Sequence, residues 1–219
     1  MSGNLKTFLD EKHLDNLANL RADLTELTPE QEDHIRLVVQ QWADIQAVSN
    51  LLFYPSLVPA DIRLPLIHKG LCERTTNYLV LAATVGLTDL NITDLTEPDR
   101  LAIADELIAV IEDKVAIAAD RASIAIRPFL KANDAERVVG LLGNPTETVR
   151  HNLLGWLSQT ERNLDESVLA ARMDEKGIAT EIRRDLGDAL ARDRQRIKKG
   201  LVSMLSSPRA VYVPNLTDC

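Results

Sequence analysis

One short pattern recurs along this 219-residue chain and limits what it can fold into: an aliphatic residue, an arginine, two residues of any kind, then another aliphatic. It reads Ile35-Arg36 with Val39, Ile62-Arg63 with Leu66, Ile126-Arg127 with Leu130, Val149-Arg150 with Leu153, and Ile182-Arg183 with Leu186. Positions i and i+4 share one face of an α-helix, so each copy buries its aliphatics and turns the arginine to the flank. The pattern predicts stacked helices. Each arginine is expected between neighbours, its stem on apolar surface and its head on a carboxylate or on helix-terminal carbonyls. Glu136 offers Arg150 such a carboxylate.

The composition fits helix-on-helix packing. Hydrophobic residues make up 45% of the chain and aromatic residues only 4%, so the core must be built from Leu, Ala, Ile and Val. A chain of this length buries roughly 70% of the surface it exposes when unfolded. The net charge of −8 is unevenly placed: residues 1–115 hold nine Lys+Arg against nineteen Asp+Glu, and residues 116–219 hold sixteen against fourteen. An acidic front half repels phosphate backbones and anionic lipid, which argues against nucleic acid as a partner. The apolar run Tyr78 to Leu87 is far shorter than the roughly 20 residues of a membrane span. Two cysteines, Cys72 and Cys219, make no disulfide framework, and no apolar segment follows Met1 to Thr7, so a cytoplasmic location is expected. The sequons at Asn91 and Asn215 then carry no glycan. Cys219 is last rather than fourth from the end, so ordinary prenylation is not expected.

Apolar periodicity predicts a first helix over Leu5 to Leu27, and Thr28-Pro29-Glu30-Gln31 has the form of a capping box opening a second that reaches Leu52. Ala60 to Arg74 reads as a helix that Pro65 could bend, and Tyr78 to Val85 as a buried helix in preference to a strand. From Thr96 to Arg127, Leu101, Ala104, Ile108, Ile111, Val115, Ala118, Ala122 and Ala125 step by three and four, with Ile103, Leu107, Val110 and Ile117 beside them. These residues predict one long helix, 97–127, at the centre of the fold. Asn133-Asp134 and Asn144-Pro145 open two short helices, and helices over Glu161 to Glu175 and Ile178 to Ser206 follow, the last with Ile197 and Leu201 inward. Residues 1–206 are therefore expected as one helical domain, and 207–219 as an extended tail.

Ala135 to Leu157 resembles a HEAT-type repeat. Ala135-Glu136-Arg137-Val138-Val139 with Leu141-Leu142 looks like the end of a first helix, Gly143-Asn144-Pro145 like the turn, and Val149-Arg150 with Leu153-Leu154 like the second helix. The Ile-Arg copies lie 27, 64, 23 and 33 residues apart, without the near-constant period of an ideal array. The resemblance implies an all-α fold of stacked helical hairpins, here around the long helix, with an extended surface for partners.

Residue sets that could carry chemistry are sparse. His68 and Cys72 stand at i and i+4 with Glu73 adjacent, but no local spacing brings a third ligand, so no metal is expected. His68 reads as a surface or satisfied histidine and Cys72 as a buried small apolar residue. Glu106, Asp113 and Asp120 repeat every seven residues as a solvated stripe, and no Glu-x-x-His accompanies them. No histidine is followed by glutamate, as HEAT-like iron hydroxylases require, and no phosphate-binding glycine loop or nucleophile elbow occurs. No catalytic residue and no cofactor is implied.

One basic cluster stands out: Arg192, Arg194, Arg196, Lys198 and Lys199, near the end of the last helix and ahead of a tail that carries Tyr212. The interleaved Asp185, Asp188 and Asp193 make a solvated face the plain reading, and contact with an acidic partner the functional one. These six residues are the candidate partner-binding site. The expected function is a non-enzymatic interaction, scaffold or regulatory module. The alternatives are a HEAT-like nucleic-acid enzyme of the DNA-glycosylase type and a dedicated chaperone for a partner subunit.

Overall fold

The computed structural model describes residues 3–24, 26–73, 76–113 and 116–206, with side chains throughout except at 3, 116 and 200–206. Polar residues decide where the first helices stop. α1 (Gly3–Asp10) and α2 (Leu14–Ala22) are separated by Glu11, whose carboxylate accepts the backbone N–H groups of Lys12 at 2.9 Å and His13 at 2.8 Å. Those bonds compete with the helical ladder, so the single helix expected over Leu5 to Leu27 is two. Thr28 and Gln31 form the expected capping box at the start of α3 (Pro29–Gln41). That helix ends at Trp42, which takes a left-handed backbone with φ of 51°. Asp44 then accepts the N–H of Ala47 and opens α4 (Ile45–Phe53). Asn50 is fully buried in α4 and donates to the carbonyls of Phe8, Leu9 and Glu11, closing the C-terminal end of α1 from another helix.

α5 (Ala60–Cys72) carries Pro65 within it, and the apolar segment after it is a helix, α6 (Asn77–Gly86), capped by Thr76. Gly86 is required there: a Cβ at this position would stand 1.8 Å from the carbonyl oxygen of Leu52, where α6 crosses α4.

The expected long helix over 97–127 is corrected to a hairpin. α7 (Glu97–Glu112) is capped by Thr96, and after the turn at Asp113 the chain doubles back as α8 (Ala116–Ala125). The guanidinium of Arg100, at the start of α7, donates to the carbonyl of Phe129 just past α8, and Lys131 pairs with Glu97 at 2.6 Å, so the open ends meet. The Arg100 and Lys131 bonds hold the Glu97 carboxyl down at about 2. Small side chains let the returning arm pack closely. Ala118, Ala119 and Ala122 are at most 3% exposed and allow α8 to be enclosed by α6, α7 and α10 at close range. Ile117, expected in the apolar stripe, is instead 70% exposed. The buried face of the short α8 thus lies between α6, α7 and α10.

Single turns at Arg127–Phe129 and Ala132–Asp134 lead to α9 (Ala135–Leu141), α10 (Glu147–Thr160), α11 (Glu166–Glu175) and α12 (Thr180–Ser206). Asn144 does not cap α10. It is buried in the turn, accepts from Thr146 and donates to the carbonyl of Ile111 at 2.8 Å, tying the turn to the end of α7. Twelve α-helices and no strand are present among the described residues. The packing has an order: α4, α6, α8, α10 and α12 each contact the next in line, α5, α7, α9 and α11 form a second line, and each odd helix from α3 onward contacts the even helix that follows it.

Candidate partner-binding site

The site is positioned by how far the core reaches along α12. Leu186 and Leu190 are 0% and 2% exposed, where the helix lies on α10 and α11. Beyond Ala191 no residue of α12 whose side chain is described is buried. Every residue from Arg192 to Lys199 is exposed, and the helical backbone continues to Ser206. Past Ile197, the last residue of α12 to face the end of α10, the helical backbone runs on to Ser206, roughly 14 Å further. Arg192, Arg194, Arg196, Lys198 and Lys199 all lie beyond Ala191, while Tyr212 lies outside the described residues, as does the whole expected tail, 207–219. Ile197, expected inward, is 62% exposed.

The charge on this arm is weakly compensated. Five cations stand against Asp193, and Arg192 with Arg196, and Arg194 with Lys198, are like-charge pairs at i and i+4, the spacing at which helical neighbours repel. None of the five makes a hydrogen bond or ion pair with another described residue. Asp165 caps α11 and is held below the usual carboxylate range, chiefly by the N–H of Val168 and the Ser167 hydroxyl, with a smaller pull from Arg194.

Beside the arm lies a feature with no sequence signal. The end of α10, the loop after it and α12 enclose a cleft of about 270 Å³, lined by Gly155, Arg162, Leu164, Leu190, Arg194 and Ile197 among others. Arg162 sits in an irregular loop, 30 residues before Arg192 in the chain, so spacing alone does not bring it to the cluster. Glu161 also faces the cleft, but its carboxylate is taken by Arg172 at 2.6 Å.

Elsewhere the residues considered for chemistry have structural partners. The Nδ1 of His68 lies 2.8 Å from both carboxylate oxygens of Glu106, tying α5 to α7. That contact raises the imidazole pKa against the opposing effect of burial. Cys72 is exposed, in correction of its expected burial. Glu106, Asp113 and Asp120 form no common stripe, because α8 is folded back; Asp120 accepts from Asn152 of α10 at 3.4 Å. Among the described residues no group of three His, Cys, Asp or Glu side chains converges as a metal site, and no helix is long and apolar enough to cross a membrane.

The recurring arginines are not equivalent. Arg36 makes a forked contact with Asp61 at 2.6 and 2.9 Å, joining α3 to α5. Arg63 donates to the carbonyls of Ser56 and Val58, Arg127 to the carbonyl of Asn152, and Arg183 to Asp174 and Thr180. Arg150 bonds the carbonyls of Asn144 and Pro145 in the turn before its own helix, and Glu136 belongs to Arg172 instead. Comparison of the chain with protein-family models, with curated proteins and with solved structures finds no match.

Proposed function

We propose that this chain is a non-enzymatic interaction module that holds a protein partner on the projecting end of its last helix. One observation carries the reading: eight consecutive helical residues, Arg192 to Lys199, are exposed around the whole helix and bear five cations. A helical segment this exposed contributes little to folding, and its weakly compensated charge favours an acidic surface. A HEAT-like solenoid is the framework in this reading. Its support is the double line of helices, α4 to α12 and α5 to α11, with paired neighbours stacking on the pairs before and after. A cytoplasmic location belongs to the same proposal, supported by the low cysteine content.

The test compares the full chain with the variant Arg192→Glu, Arg194→Glu, Arg196→Glu, Lys198→Glu, Lys199→Glu in affinity capture from nuclease-treated native lysate. The parent should retain one protein near unit stoichiometry that the charge-reversed variant loses, while thermal midpoints agree because the reversed residues are unpacked. Equal capture by both would remove the arm from the function. Loss of all capture after nuclease treatment would point to nucleic acid and to the glycosylase-type alternative.

A further inference from the structure

The cleft between α10, its following loop and α12 is more specific than a charged arm needs to be. Its floor is apolar: Leu164 and Leu190 are each 2% exposed. Its lip is Ile197, which is 62% exposed, so a large aliphatic stands in water next to buried leucines. A lone exposed aliphatic is ordinary on a protein surface. Here it borders a cavity of about 270 Å³. A cavity of roughly 150 Å³ is enough to admit a benzene ring. The cleft therefore has room for one large apolar side chain.

The rim supplies the opposite character. Arg162, Arg194 and Arg196 come from two separated stretches of chain, line the cleft and are exposed. Against them stand Asp193 and Glu161, and Glu161 is already neutralised by Arg172. Arg162 and Arg196 make no hydrogen bond or ion pair with another described residue. Guanidinium groups of this kind suit forked bonds to carboxylates, and an apolar anchor ringed by charge is how a compact docking site gains both affinity and register.

We infer that this cleft is the seat of an acidic segment of the partner protein, whose one large apolar side chain enters between Leu164, Leu190 and Ile197 while flanking Asp or Glu residues pair with Arg162, Arg194 and Arg196. This rests on the proposal that the arm is a partner-docking element. It adds the apolar anchor, the loop arginine and the chemistry of the occupant.

The test is selection from a random 12-residue peptide library on the full chain, followed by titration of the enriched synthetic peptide. Enriched sequences should place two or more Asp or Glu around one Leu, Ile, Phe or Trp. Binding of the peptide should weaken by about tenfold or more for Ile197→Ser, and similarly for Arg162→Ala with Arg194→Ala, a loss of about 1.4 kcal/mol or more. It should weaken further with salt, since the carboxylate pairs are partly exposed. Ile197 is mostly in solvent, so its replacement leaves the core intact. If enriched peptides lack acidic residues, the inference is overturned. If peptide binding is lost on charge reversal of the arm but is indifferent to Ile197→Ser, the arm is a purely electrostatic dock: the cleft inference fails and the arm proposal stands. If binding survives both changes, both fail. A duplex DNA probe that competes with the peptide and needs the same arginines, or a self-associated chain that Ile197→Ser dissociates, would also overturn the acidic-segment assignment.

Discussion

His68 shows how a single residue can be half legible. The sequence places it on a helix beside Cys72 and marks it as an unremarkable histidine. Nothing in the spacing announces Glu106, 38 residues on, as its partner. The consequence is a dependence of stability on pH with a definite sign. Hydrogen bonding to Glu106 raises the folded imidazole above its unfolded value of about 6.5. The stabilisation is then fully present below about pH 6.5 and is lost as the pH climbs through the raised folded value, where the imidazolium loses its proton. Denaturant titrations should accordingly show the parent losing stability as the pH rises from about 6 to about 9, a loss absent from His68→Gln. An identical pH profile for the two proteins would mean that the contact has no energetic weight. The arginines teach the same lesson: four copies lie on α-helices as i and i+4 imply, Ile126-Arg127 with Leu130 falls instead on a single tight turn, and whether an arginine finds a carboxylate, as Arg36 does, or a turn carbonyl, as Arg150 does, depends on how helices and turns pack around it.

At the scale of the element, helix type is the most legible property and helix continuity the least. Capping residues at Thr28 and Thr96 open helices where expected, because a cap is a local arrangement of backbone and side chain. The interruptions at Glu11 and Trp42 and the reversal after Asp113 are harder to read, since an apolar period of three and four continues unbroken across a hairpin whose two arms bury the same kind of face. The α7 and α8 hairpin makes an opposed pair of predictions. Ala122 is fully buried against packed helices, so Ala122→Leu should cost about 1–3 kcal/mol by overpacking. Ile117 is 70% exposed, so Ile117→Lys should stay within about 0.5 kcal/mol of the parent in urea denaturation. A single long helix with Ile117 in its apolar stripe predicts a large cost for the lysine instead, and that result would remove the hairpin.

Across the whole molecule, the all-helical class follows from periodicity and aliphatic composition, whereas the cleft beside α12 does not, because Arg162 and Ile197 meet only through the packing of α10 and α11 on the last helix. The basic cluster was visible in the sequence; its isolation from the core was hidden behind an apolar period that places Ile197 inward. That isolation has a second consequence, in the lifetime of the chain. The five cations of the arm are also five bonds of the type trypsin cuts, in a stretch with little burial to oppose local opening. When opening is fast, cleavage follows the population of opened chain. Limited trypsin should therefore cut within 192–199 before the other described lysines and arginines, leaving a fragment that still melts cooperatively, as mass spectrometry and a thermal scan would show. First cleavage inside α4 to α10 would contradict it. A partner seated on the arm would shield those bonds, so an unoccupied chain is the one that is shortened and loses its means of binding.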